Sequence, residues 1–219
     1  MSIDMLVAMK VNDATPAVER LANCSAALRS WFLRNDLQLN ADKSEAVILG
    51  TAPQLRSAAT IRAVEVAGSR LQVAPKLKLL GVTIDSRLQF DCHAKDIARA
   101  CNYHTHALRH LRSLLSDHLA QTVACSIIAS RLDYCNAMLY GVPATTFDVL
   151  QQAQNNLARV VCQRGGRTNA RPLLWSLHWL PMKQQVTYKM VTLTFKVLSL
   201  STPAYLNDLI QSAVPVRPL

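Results

Sequence analysis

The chain has 219 residues, half of them hydrophobic, with 24 Lys and Arg against 14 Asp and Glu. That length allows one large domain or two small ones, and so apolar a composition excludes disorder as the default. No run of about 18 uncharged apolar residues occurs, so no transmembrane span is expected.

The first residues, "MSIDMLVAMKVND", are apolar but broken by Asp4 and Lys10, with no basic stretch before them. They read as a short strand over "DMLVAMKV" and not as a signal peptide. Thr15-Pro16 has the form of a helix cap followed by proline at the first helical position. Val18, Leu21, Ser25, Leu28 and Phe32 then share one face, which predicts a helix over 16–35. "LQLNADKSEAVILG" follows: a loop in which Asp42 and Glu45 flank Lys43, then a strand over 45–49. "IRAVEVAGSRLQVAP" alternates around Ala67-Gly68-Ser69-Arg70 and predicts a β-hairpin. "LKLLGVTID" reads as one more strand, with Gly81 marking a bulge or a close backbone approach.

After about residue 91 the period becomes helical. Ile97, Cys101, His104, Leu108, Leu111 and Leu115 form one apolar series. Leu119, Val123, Ile127, Tyr134 and Met138 form a second. Phe147, Leu150, Leu157 and Val161 form a third, and Val186, Met190, Leu193, Val197 and Leu200 a fourth. Four amphipathic helices with short connections predict a bundle. "RGGRTNARP", 164–172, reads as a loop with glycines where a helix ends. The expected class is α+β: a small mixed part over 1–90, a helical part over 91–200, and a tail over 201–219.

Charge is uneven. Residues 1–50 carry five Lys and Arg against six Asp and Glu; residues 51–219 carry nineteen against eight. A basic domain of this size fits a polyanionic partner such as nucleic acid, or a merely solvated basic surface. The six cysteines are scattered, without a C-x-x-C pair. They read as buried free thiols of an intracellular, reducing compartment.

Constellations that invite chemistry are incomplete. "CNYHTHALRH" offers Cys101, His104, His106 and His110. At about 100° per residue the first two and the last two fall on opposite sides of a helix, so four ligands do not converge on one ion. No metal site is expected. Asp133, inside an expected helix, calls for a tertiary partner. "LLWSLHWLP", with Trp175, His178 and Trp179, reads as a structural plug between helices, or as a surface for stacking bases. No phosphate-binding loop, nucleophile elbow or H-E-x-x-H motif is present.

Taken in order, "LRSWFLRNDLQLNADKSEAVILG", "PKLKLLGVTIDSRLQF", "SRLDYCNAMLYGVP", "LQQAQNNLARVV" and "LLWSLHWLPMKQQVTYKMVTLTFKVL" resemble the reverse transcriptases of LINE-type (non-LTR) retrotransposons, over nearly the whole chain. The resemblance covers the later part of that enzyme: the end of the palm, here helix, strands and hairpin, followed by a mainly helical thumb. It implies a fragment of an RNA-directed DNA polymerase. The family's paired aspartates, which bind Mg²⁺, align with the first residues, where Met1-Ser2-Ile3-Asp4 stands. Asp4 matches the second aspartate and Ile3 replaces the first. An isoleucine cannot ligate a hard cation, so no polymerase activity and no cofactor are expected of this polypeptide.

The resemblance gives Lys43 a place near the departing pyrophosphate and makes Leu80, Gly81 and Val82 the core of a primer grip. It assigns Lys95, Arg99, Arg109, Arg112, Arg164, Arg167 and Arg171 to phosphates of an RNA–DNA hybrid, a role suited to contacts that do not read sequence. The alternative is a non-catalytic helical interaction protein derived from such an element. No membrane partner is expected.

Overall fold

A computed structural model describes residues 5–9 and 14–210. The chain is mixed α+β and mostly helical. It divides into two compact units, Met1–Phe90 and Asp91–Leu219.

The first unit opens with an irregular segment over 5–9, where a strand was expected. Helix α1 spans Thr15–Arg34. Its cap is Ala14, one residue earlier than the sequence predicts, and Pro16 lies in the first turn, where a missing N–H costs nothing. Ala17, Ser25 and Phe32 are its buried residues. Ser25 Oγ accepts the Ala67 N–H at 3.0 Å and donates to the Ala22 carbonyl at 2.9 Å, which ties the helix to the turn of a hairpin. That hairpin is β2 (Ala63–Val66) with β3 (Ser69–Ala74). Its two-residue turn, Ala67-Gly68, has φ of 53° and 81°, the left-handed pair that matches strand twist. Strand β1 (Ala46–Val47) joins β3 in parallel, giving the order β1-β3-β2.

Between β1 and β2 lies a short helix, α2 (Ala52–Ser57), that the periodicity does not reveal. Thr51 starts it: both its N–H and its hydroxyl donate to Gln54 Oε1, at 2.7 and 2.8 Å. "LKLLGVTID" is two strands, not one. β4 (Lys76–Leu79) and β5 (Val82–Asp85) pair antiparallel about a Leu80-Gly81 turn.

The second unit starts with α3 (Asp91–Leu111), which packs on α6 (Ala144–Val161). Ala94, Ala98, Cys101, Thr105 and Leu108 of α3 are buried, as are Leu150, Ala153, Leu157 and Val161 of α6. Between them runs a segmented stretch: α4 (Asp117–Val123), a π-helical turn Ala124–Ala129, α5 (Ser130–Asp133) and a 3₁₀ turn Asn136–Leu139. Its buried series is Ala120, Ala124, Ile128, Leu132, Asn136 and Leu139. The expected series lies mostly outside, with Leu119, Ile127, Tyr134 and Met138 exposed. Asp133 finds its partner in Lys189 Nζ, at 2.7 Å.

Helices α7 (Ala170–Ser176), α8 (Met182–Leu200) and α9 (Ala204–Asn207) follow among the described residues. Helix α6 ends in a Schellman turn: Arg164 N–H reaches the Arg159 carbonyl at 2.8 Å and Gln163 N–H reaches Val160 at 3.1 Å. The left-handed residue is Gln163, φ 52°, and not one of the glycines expected there. The thiols also differ from expectation, since Cys24, Cys125 and Cys135 are exposed and Cys101 is buried.

Candidate nucleic-acid interface

Asp4 lies outside the described residues. Lys43 closes a 3₁₀ turn, Ala41–Lys43, and its side chain is exposed. The carboxylates beside it have structural work or none. Asn40 Oδ1, not Asp42, caps the turn by accepting the Asp42 N–H at 2.9 Å, and Glu45 Oε2 accepts the Lys78 N–H of β4 at 3.3 Å.

The three residues of the expected primer grip are split by the hairpin. Leu80 and Gly81, with φ of 47° and 84°, form its tip, and Leu80 is exposed. Val82 is buried. Gly81 is therefore a turn residue whose left-handed backbone suits glycine, not a bulge. Exposed Lys76 and Lys78 lie along the same face of β4. They escape a search for arginine-rich helices, and the alternation of β4 is the signal that finds them.

The arginines of the helical unit converge more closely. A cleft of about 450 Å³ opens where the last turns of α3 and α6 meet the following loop. Arg109, Arg112, Arg159, Arg164 and the backbone of Gly165-Gly166 line it, and no carboxylate does among the described residues. Two of the four guanidinium groups are structural. Arg112, expected to face a phosphate, is buried: its Nε donates to the Val161 carbonyl at 2.8 Å and Nη1 to the Leu115 carbonyl at 2.8 Å, while Nη2 meets Asp117. Arg159 donates to the Thr168 carbonyl at 2.8 Å and to Asn156 Oδ1 at 3.1 Å, which pins the loop. Sequence reasoning missed Arg159 because it sits inside the apolar run Leu157–Val161.

Arg109 and Arg164 are exposed at the mouth. Gly165 and Gly166 have open space where a side chain would stand, so a ligand can approach their backbone closely. Cys162 sits behind the loop. Burial pushes its thiol up, against the opposing pull of the Ser176 hydroxyl and of nearby Arg164 and Arg112.

Lys95 and Arg99 lie on α3, 14 and 10 residues before Arg109, and are exposed. Lys95 and Arg109 are thus about 21 Å apart along the axis, at 1.5 Å per residue. Lys95, Arg99 and Arg109 fall within about 80° of one another around the helix, so they form one basic stripe leading to the cleft. Arg99 also pairs with Asp96 at 2.9 Å, an exposed contact of little energetic weight. Arg167 and Arg171 are exposed in the loop and on α7. One turn after Arg171 stands Trp175, 83% exposed. The tryptophan is therefore no plug; the half-buried Trp179 and the buried Leu174 fill the interior instead.

The thiol and imidazoles of α3 separate as helical geometry requires. Cys101 is buried and its thiol donates to the Ile128 carbonyl at 3.8 Å. His106 and His110 are exposed. Among the described residues no group of three or more potential metal ligands is present, and no helix is long and apolar enough to cross a membrane. Comparison with protein-family models, with curated proteins and with solved structures returned no match.

Proposed function

We propose that the chain is the palm-end and thumb portion of a LINE-type reverse transcriptase and that its helical unit grips the sugar–phosphate backbone of an RNA–DNA hybrid. The observation that carries the binding role is the arginine-lined cleft without a carboxylate, fed by the stripe Lys95, Arg99 and Arg109. A span of about 21 Å is long enough to face several successive phosphates of one strand. Exposed Trp175 beside Arg171 adds a surface on which a base can stack. Ile3 in place of an aspartate removes one ligand of the catalytic Mg²⁺, so this polypeptide adds no nucleotides by itself.

The test is binding of a labelled RNA–DNA hybrid over a series of salt concentrations, with a primer-extension assay beside it. Binding that falls linearly on a log–log salt plot, without extension, is the expected result. Absence of binding at low salt would overturn the grip, and extension would overturn the inactivity.

A second reading, a helical interaction protein, is favoured by the outer face of α8. Tyr188, Val191, Phe195 and Leu198 are exposed there at helical spacing. In that case the hybrid does not bind and the basic face is merely solvated.

A further inference from the structure

His106 and His110 stand one turn apart on the exposed side of α3, with ring centroids 4.6 Å apart. His110 Nε2 lies 3.2 Å from His106 Nδ1. Two imidazole nitrogens bound to one ion at about 2.0–2.1 Å are separated by about 2.9 Å at cis octahedral positions and about 3.3 Å in a tetrahedron. The observed separation falls between these limits. The pair is thus already spaced for a chelate, and one ion would replace the single proton now shared between the rings. A tautomer change in one ring frees both lone pairs without net loss of a proton from the neutral pair.

We propose that His106 and His110 form a bidentate site for a late divalent transition-metal ion such as Ni²⁺, Zn²⁺ or Cu²⁺. Borderline nitrogen donors select this class over Mg²⁺ or Ca²⁺, which prefer oxygen. Cys101 takes no part, being buried with its thiol turned to Ile128. The remaining coordination positions face solvent and are filled by water or by an incoming anionic or imidazole ligand. Protons compete for the same nitrogens, so affinity falls on acidification. His106 and His110 share the α3 face of the Lys95, Arg99 and Arg109 stripe, yet the chelate rests on the spacing of the two rings and not on the hybrid-binding role.

The experiment is calorimetric titration of the full chain, kept reduced, with Ni²⁺, accompanied by NMR of the histidine ring signals. One ion binds, and the His106 and His110 signals broaden first. His106→Gln and His110→Gln each weaken binding by about tenfold or more, a loss of about 1.4 kcal/mol per decade, whereas His118→Gln leaves it unchanged. Both rings are exposed, so circular dichroism of the variants matches the parent. A double variant that binds Ni²⁺ like the parent, or a parent that gives no heat and no broadening at millimolar Ni²⁺, would overturn the proposal.

Discussion

Arg112 donates its Nε–H to the Val161 carbonyl at 2.8 Å, joining the end of α3 to the last residue of α6. The second bond, to Leu115, closes the 3₁₀ turn that follows α3. A buried guanidinium held by two backbone oxygens and the Asp117 carboxylate is a structural element, and its loss strands those oxygens. Arg112→Ala is expected to destabilise the chain by about 2–4 kcal/mol, and Arg112→Lys by nearly as much, because an ammonium lacks the planar fork. Urea unfolding measures both; a change under about 0.5 kcal/mol, the range of ordinary surface substitutions, would contradict the assignment.

Arg109 and Arg164 carry the opposite expectation. Both are exposed, so Arg109→Ala and Arg164→Ala leave stability within about 0.5 kcal/mol. Each should lower the slope of log affinity against log salt by about one on an RNA–DNA hybrid. Parallel salt plots for parent and variants would remove these side chains from the interface.

Asp85 is the hub of the turn after β5. Its carboxylate accepts the N–H groups of Arg87 at 3.0 Å, Gln89 at 3.1 Å and Phe90 at 2.7 Å. Leu88 and Phe90 both have left-handed backbones, φ 54° and 58°, which the carboxylate secures against their steric cost. Asp85→Ala should cost about 2–3 kcal/mol, and Asp85→Asn less, since one acceptor oxygen survives. Hydrogen exchange at Phe90 is the local readout, and an unchanged rate in the alanine variant would sink the idea.

Burial pushes the Cys101 thiol up to about 11 from 9.0, with only partial relief from Arg131. The folded chain therefore retains a proton that the unfolded chain releases as pH rises through 9. Stability falls from about pH 9 and continues to fall until the folded thiol itself ionises near 11. Cys101→Ala should show a shallower decline over this window in denaturant unfolding. In native chain at neutral pH, Cys24, Cys125 and Cys135 should react with a thiol reagent well before Cys101 does. Rapid labelling of Cys101 would contradict its burial.

Long periodic stretches and strong turn signals were legible in the sequence: α1, the Ala67-Gly68 hairpin and the core face of α6. The 117–139 face differs from the expected one, and that of α3 differs in part, since Cys101 and Leu108 are buried as expected while Leu111 is exposed, for one physical reason. The reading weighted large apolar side chains, whereas small ones occupy the contact. Ala94 and Ala98 are buried on α3 and Ala153 on α6, two helices that pack on each other, and small residues let helices approach closely. Ala120 and Ala124 play the same part, leaving Leu119 and Ile127 outside. From Ala120 to Asn136 that buried series also repeats every four residues. Such a spacing drifts around a pure α-helix, but the π turn at Ala124–Ala129 has more residues per turn and cancels part of the drift. Nothing local in "ACSIIA" announces it.

The site was legible as a set of basic residues and not as an arrangement. The resemblance placed Arg112 among the phosphate contacts, a role that needs the exposure arginine ordinarily has. Its burial depends on the carbonyls of Leu115 and Val161, and backbone acceptors leave no mark in sequence. Arg159 was missed for the converse reason, being a cation hidden in an apolar run.

The two kinds of arginine in the cleft answer differently to ionic strength. Arg112 and Arg159 are held mainly by carbonyl and amide oxygens, neutral acceptors at 2.8–3.1 Å, with the exposed carboxylate of Asp117 beside Arg112. Mobile ions screen attraction between exposed charges over a Debye length of about 10 Å at 0.1 M and scarcely touch short dipolar bonds in an interior. The buried bond from Arg112 to Val161 is in this sense nearly blind to salt, while Arg109 and Arg164 are open to screening. On the proposed function, raising ionic strength would strip a polyanion from Arg109 and Arg164 and leave the Arg112 wall standing, so release of ligand and loss of fold would be separable in a single titration.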